Sequence, residues 1–304
     1  MRIAVLGNPE SWYCRDIERA AVERGHTAVS VPFPRLRAHV RSDESRLLSS
    51  AHSLSEFDAV LVRTMPPGSL EQVVFRMDAL NQLEQRGVTV LNPPRAVECA
   101  VDKYLTTARL CAAGLPVPET FVCEDATAAL EAFELLGRDV VVKPIFGSEG
   151  RGIVRVSDPD LALRTFRTLE RMQAVLYLQR FINHGGFDIR VMVLDGRVLG
   201  GMRRSSSDDF RTNVSRSARA EPWAVTEREE EWALSASRAV GTRIAGVDLL
   251  YDREGNGYVI EVNAVPGWRA FRRATGCDVA GAMIGSLERN RECEPPVPVA
   301  AARP

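Results

Sequence analysis

Short apolar runs alternate with amphipathic stretches along most of the chain. Residues 2–7 are a near-continuous apolar run closed by glycine, which predicts a buried strand. Helical spacing over 13–24, stopped by Gly25, predicts a helix, and 27–31 a second strand. This β-α-β opening predicts a parallel sheet. A polar stretch at 41–55 leads to a strand at 57–63, a helix at 69–86 ending at Gly87, and a strand at 88–91. Residues 1–94 read as one small α/β lobe, bounded by Asn92-Pro93-Pro94.

A helix over 95–113 is predicted next, stopped by Gly114 with Pro116 and Pro118 behind it. The pattern then predicts a strand at 121–123, a helix at 126–136 and a strong strand at 139–143. It continues with a helix at 161–171 and strands at 175–181, 188–194 and 197–204. A charged helix at 227–240 closes on Gly241, and an amphipathic helix occupies 278–290. Residues 291–304 read as a disordered tail. No internal repeat is present.

The most informative stretch is 246–267, two short apolar strands around the turn Asp252-Arg253-Glu254-Gly255-Asn256-Gly257. Side chains two apart on a strand share a face, so Glu261 and Asn263 point one way and Ile260 and Val262 point into a core. Asp248 on the partner strand can face the same side as Glu261. Two carboxylates and an amide oxygen are costly in an apolar hairpin unless a ligand compensates them. Hard oxygen donors of this kind suit Mg²⁺, with water and phosphate completing the octahedron. The alternative is a surface hairpin with solvated polar positions.

Composition narrows the class. The 304 residues have room for two or three lobes, with 45% hydrophobic and 26% charged residues. A formal net charge of -1 supplies no field toward nucleic acid or an anionic membrane. Six scattered cysteines without a CxxC fit reduced thiols, hence a cytoplasmic setting. The start lacks the apolar region of a signal peptide, and no apolar run approaches a membrane span. GNPES after the first strand is not a dinucleotide fingerprint. The four histidines show no metal-ligand spacing.

A second chemical signal runs over 140–156. A strand delivers Lys143, and a turn with Gly147, Ser148, Gly150 and Gly152 follows. Glycines let backbone N–H groups approach an anion, so the pair reads as a phosphate clamp, with a plain turn as the alternative. No GK[ST] follows, which excludes a Walker A loop. The arginine-rich stretch 205–219 reads as a solvated loop. Asp208 and Asp209 interrupt it and aromatics are sparse, so a nucleic-acid partner is not expected. Arg63 and Arg76, in and after the segment 63–70, could bind an acidic acceptor or serve the local structure.

Lys143 before GSEGRG, then QRF, DIR, RR, DFRTN, GVD and EVN in this order closely resemble the ATP-grasp superfamily, and within it the RimK-like α-L-glutamate ligases. The resemblance implies an α/β fold with α+β lobes: a small Rossmann-like pre-ATP-grasp domain at 1–94, a central lid domain at 95–183 and a C-terminal domain at 184–290. It implies that Lys103 and Lys143 contact ATP phosphates, and that Gln179, Arg180, Phe181 and Ile182 line the adenine linker. Asp188 would hold the nucleotide edge, and Arg211, Thr212 and Asn213 would reach the phosphates. Asp248, Glu261 and Asn263 would hold two Mg²⁺ or Mn²⁺ ions. Arg203, Arg204 and Arg211 are the candidates for stabilising the reacting acyl group, and Arg63, Arg76 and Arg190 for binding substrate. The implied activity is an ATP-dependent carboxylate–amine ligation through an acyl phosphate, adding L-glutamate to an acceptor carboxylate. That acceptor is a pterin such as tetrahydromethanopterin, whose ligase branch the segment 63–70 resembles, or a peptide or protein C-terminus. Other readings are an amino-acid ligase acting on a carrier protein in lysine or arginine biosynthesis, and a non-catalytic ATP-binding regulator. The partners expected are small-molecule substrates and a second copy of the chain, in a dimer or tetramer.

Overall fold

The computed structural model describes residues 1–147, 151–205 and 219–293. Its contacts divide the chain into two compact units. One is Met1–Leu91 with the segment that starts at Asp278, and the other is Asn92–Cys277.

The first unit opens with β1 (Arg2–Leu6), α1 (Trp12–Glu23) and β2 (Thr27–Val31). Next come β3 (Leu36–Val40), β4 (Ser45–Ser49) and β5 (His52–Ser53), a small antiparallel sheet. β4 and β5 lie in the stretch read only as polar, 41–55, and the pattern predicts no strand at β3. Leu47 and Ser49 are buried and Arg46 exposed, but serines at alternate positions hide that period in the sequence. β6 (Ala59–Val62), α2 (Leu70–Gln85) and β7 (Thr89–Leu91) complete a parallel sheet of order β2-β1-β6-β7. A parallel sheet is covered on both faces, so Ile3, Ala4, Val5 and Leu6 are all buried without alternation. Ser69 and Gln72 close a capping box at the start of α2.

The second unit starts with α3 (Pro94–Val101) and α4 (Lys103–Ala112), where the spacing predicts a single helix. Asp102 breaks it. Its backbone is extended, and its carboxylate accepts the Leu105 N–H, capping α4. Lys103 therefore opens a helix instead of sitting inside one. β8 (Thr120–Cys123), α5 (Ala126–Leu135), β9 (Val140–Lys143), β10 (Val154–Val156), α6 (Pro159–Arg171) and β11 (Leu176–Arg180) follow. Their strands form an antiparallel sheet of order β10-β9-β11-β8. Phe133 of α5 and Phe166 of α6 pack with Val140, Leu176 and Leu178 in a core of their own.

β12 (Phe187–Leu194), β13 (Arg197–Ser205), β14 (Arg219–Trp223), α7 (Glu227–Val240), β15 (Ile244–Tyr251), β16 (Gly257–Asn263) and α8 (Arg269–Thr275) complete this unit. The strands form an antiparallel sheet of order β14-β13-β12-β15-β16. One face is apolar: Ile189, Val191, Val247, Leu249, Val259 and Val262 pack against Trp232, Ala233 and Ala236 of α7 and Leu110 of α4. Gly257 permits this fit, because a Cβ there would lie 2.6 Å from the Trp232 ring. Buried Asn92 pins the hairpin's ends. Its amide donates to the Ile244 and Ala264 carbonyls at 2.7 and 2.6 Å and accepts from the Arg243 and Ile244 N–H groups at 2.7 and 2.9 Å. β14 and α8 have no counterpart among the expected elements, and Pro222 disguises the strand.

The chain then returns to the first unit as α9 (Val279–Cys293), beyond the boundary at 290 expected from its pattern. Val279, Ala280, Met283, Ile284 and Leu287 are its buried face. Arg19 meets Asp278 at 2.7 Å and His26 meets Glu288 at 2.8 Å beside it. The remainder of the expected tail, 294–304, lies outside the described residues.

Candidate active site

The other face of the five-stranded sheet is polar. In the ladder Asp188 pairs with Arg204, Arg190 with Asp248, and Asp248 with Glu261. Directly paired residues point the same way, so these side chains and Asn263 share one face. A bulge follows Asp248. Leu249 pairs with Val259, leaving Ile260 as the extra residue. Val259 and Val262 are therefore the core residues of β16, and Ile260 is only partly buried, where simple alternation assigned Ile260 and Val262 to the core.

On this face Asp248 receives Arg190 in a fork, Nε to Oδ1 and Nη2 to Oδ2, both at 2.7 Å. Arg204 grips Asp188 at 2.6 and 2.5 Å and reaches Asp248 at 2.9 Å. Burial pushes the Asp248 carboxyl up, but Arg190 and Arg204 outweigh burial and hold it below the usual range. Burial would lower the Arg204 guanidinium, yet Asp248 and Asp188 raise it overall. Arg204 and Arg190 thus hold carboxylates in place. Arg203 is one residue along the strand and points to the opposite face. Its guanidinium lies 4.1 Å from the centre of the Phe187 ring, and its Nε is buried without a hydrogen-bond partner among the described residues.

Two lysines lie near enough to Glu261 for its charge to favour their protonated forms. Lys143 leaves the end of β9, and its ammonium donates to the Gln179 side-chain oxygen at 2.6 Å. Burial pushes it down to about 8; Glu261 opposes that shift and Lys103 adds to it. Lys103 donates to the Gly147 carbonyl at 2.8 Å, and its own backbone N–H reaches the Ile145 carbonyl at 3.3 Å. Burial lowers it too, with Glu261 and Asp102 opposing. Both ammonium groups rest on neutral oxygens, Lys143 in the more buried setting, which leaves their charge for an anionic ligand. Gly152 has a left-handed φ of 75°, as the glycine-rich turn requires. Ser148, Gly150, Arg211, Thr212 and Asn213 lie outside the described residues.

At the linker, the Arg180 N–H donates to the Glu119 carbonyl and the Phe181 N–H to the Asp139 carbonyl, both at 2.9 Å. These residues could therefore offer a base their carbonyl oxygens. Arg180 also pairs with the Glu119 carboxylate, Arg155 stacks 3.5 Å over the Phe181 ring, and Ile182 is buried. The sequence carried no sign that Asn92 or the Arg190–Asp248 fork matter; both depend on the register of pairing.

Arg63 and Arg76 belong to the first unit. Arg63 follows β6, next to β1, where the strand order reverses and ligands of open parallel sheets bind. It is buried with its guanidinium 4.5 Å over the Tyr13 ring, and burial pushes its pKa down to about 10. Arg76 is buried and donates to the Pro66 carbonyl at 2.6 Å, holding the loop before α2.

Comparison with known proteins agrees with this geometry. Residues 1–97 match the RimK PreATP-grasp domain and residues 100–287 the RimK-like ATP-grasp domain. The chain is 33% identical to the tetrahydromethanopterin:alpha-L-glutamate ligase of Methanosarcina acetivorans, covering 93% of this chain and 97% of that one. It is 31% identical to the ribosomal protein bS6--L-glutamate ligase of Escherichia fergusonii, covering 95% and 96%. The fold matches the ATP-grasp ligase PsnB, solved with a precursor variant, Mg and ADP. That match has a TM-score of 0.75 at 23% identity, over 94% of this chain and 97% of PsnB. The chain belongs to the RimK-like ATP-grasp family, whose members are ATP-dependent ligases.

The residues present fit a magnesium nucleotide. Two ammonium groups resting on neutral oxygens suit the phosphates, and Asp248, Glu261 and Asn263 offer hard oxygens on one face. Among the described residues no group of three or more His, Cys, Asp or Glu could hold a metal alone. Phosphate and water oxygens would have to complete the shell, as Mg²⁺ prefers. No helix of the described residues is long and apolar enough to cross a membrane.

Proposed function

We propose that this protein joins L-glutamate to an acceptor carboxylate with ATP and Mg²⁺, through an acyl phosphate. The observation that carries the reading is the set of Asp248, Glu261 and Asn263 on one face of the sheet, with Lys143 and Lys103 near enough for the Glu261 charge to favour their protonated forms. A carboxylate is a poor acyl donor because oxide is a poor leaving group. Phosphorylation by the ATP γ-phosphoryl group supplies a good one, and attack by the glutamate amine then releases phosphate. Such chemistry asks for positioning and charge neutralisation more than for a protein nucleophile. Bound Mg²⁺ would neutralise phosphate charge, held by Asp248, Glu261 and Asn263. Lys103 and Lys143 would hold the phosphates, and Arg190 and Arg204 keep Asp248 ionised and oriented. The relatives named for tetrahydromethanopterin and for bS6 favour an acceptor that carries a carboxylate. Arg63, at the strand-order reversal of the first unit, is the candidate contact for its acidic end.

The test is incubation with ATP, Mg²⁺, L-glutamate and either a tetrahydromethanopterin-type pterin or the C-terminal peptide of bS6. Acceptor-dependent phosphate release and a product heavier by glutamyl residues in mass spectrometry are expected. ATP binding without phosphate release for any acid and amine pair would refute ligation and favour a regulator.

A further inference from the structure

A hydrogen-bonded chain behind Lys143 joins it to the helix that carries Lys103. The Lys143 ammonium can only donate, so the Gln179 atom facing it at 2.6 Å must be the amide oxygen. The Gln179 NH₂ then points the other way and donates to Thr120 Oγ1 at 2.9 Å and to the Tyr177 hydroxyl at 3.2 Å. The Tyr177 hydroxyl in turn shares a 2.8 Å hydrogen bond with Thr107 Oγ1. Tyr177 is the direct cross-strand neighbour of Lys143, and Thr120 that of Gln179. Thr107 lies four residues after Lys103 on α4, so both are on one side of that helix. Tyr177 is buried, so its hydroxyl needs these partners, and its ring cannot swing away without losing them.

We propose that Tyr177, through Gln179 on one side and Thr107 on the other, is a positioning residue that sets the ammonium groups of Lys143 and Lys103 in register for the phosphates of the nucleotide. The inference rests on the reading of these two lysines as phosphate contacts. Tyr177 does not touch the ligand. It orients the Gln179 amide, which presents its oxygen to Lys143, and it ties α4 to the strand beside β9. Nothing in the residue pattern singles it out, since a tyrosine in an apolar strand reads as core.

Equilibrium binding of MgATP and of adenosine to the full-length chain tests it, with Tyr177→Phe, Thr107→Val, Lys143→Met and the Tyr177→Phe/Lys143→Met pair. Tyr177→Phe keeps the ring and is expected to weaken MgATP about tenfold, the worth of one or two buried hydrogen bonds, while adenosine binding stays unchanged. Thr107→Val should act in the same direction and more weakly, and it stands in if Tyr177→Phe folds poorly. In the Lys143→Met background the effect of Tyr177→Phe should shrink to the part carried by the Thr107 branch to Lys103, because one of the two residues it positions is gone. An equal loss for adenosine and ATP, or a full Tyr177→Phe effect without Lys143, would overturn the positioning role and leave the phosphate reading standing. If Lys143→Met alone left MgATP affinity unchanged, the phosphate reading would fail and this inference with it.

Discussion

Replacing Asn92 by alanine would delete one small side chain and four hydrogen bonds. The amide is almost wholly buried and fully used: two donated bonds to the Ile244 and Ala264 carbonyls, two accepted from the Arg243 and Ile244 N–H groups. Alanine leaves two backbone N–H groups and two carbonyls short of a partner. Each costs about 1–3 kcal/mol when buried, and the smaller side chain leaves room for water to recover part of that. A loss of about 4 kcal/mol is the working figure, taking the low end for each group. That is a large share of the roughly 5–15 kcal/mol by which a folded protein is stable. For a unit the length of Asn92–Cys277 it corresponds to a fall in Tm of roughly 8–16 °C. Asn92→Asp should be worse still. It keeps the oxygen that accepts both N–H groups but turns a second carboxylate oxygen toward two carbonyls. Urea unfolding followed by circular dichroism, together with calorimetry, reads the change. A loss below about 1 kcal/mol for Asn92→Ala would refute the accounting, since one ordinary hydrogen bond is worth that much.

Three further outcomes are expected. Glu261→Gln should lower turnover at least about hundredfold while the circular dichroism spectrum is unchanged; near-normal turnover would remove Glu261 from the metal site. Arg204→Met should cost about 3–5 kcal/mol in urea unfolding, because it leaves Asp188 without its fork and Asp248 with Arg190 alone; a neutral result would mean that water compensates both carboxylates. Lys143→Met should raise stability at neutral pH. The folded lysine has its pKa lowered from 10.5 to about 8, so between these values the unfolded chain holds a proton that the folded chain does not. Wild-type stability from this group therefore rises from pH 8 toward 10.5 and is lost as pH falls through 8. The advantage of Lys143→Met should shrink over the same window, and a constant difference from pH 7 to 10.5 would contradict it.

What the sequence made legible and what it hid have physical reasons. β15 and β16 were readable because an apolar, β-prone run meets a Gly-Asn-Gly turn and the polar residues stand out against it. The ATP-grasp layout followed from motifs that recur in order. The split at Asp102 was not readable as helix spacing, because an aspartate that ends one helix and caps the next leaves the apolar period intact. The roles of Arg203 and Arg204 could not be told apart either. Neighbours on a strand face opposite ways, and only the pairing of Asp188 with Arg204 decides which of them meets the carboxylates. The pairing of β12 with β15, on its other side, gave Arg190 to Asp248, a partner 58 residues away that no local pattern could name.

The extra residue at Ile260 has one more implication. On the far side of it Leu249 meets Val259, on the near side Asp248 meets Glu261, and both pairs would survive if Ile260 were simply removed. No cross-strand neighbour depends on it; what it adds is a local bend beside the two carboxylates. Chain length thus bears on the angle between Asp248 and Glu261, and in the proposed metal site a single-residue deletion would change the grip while leaving every oxygen donor in place.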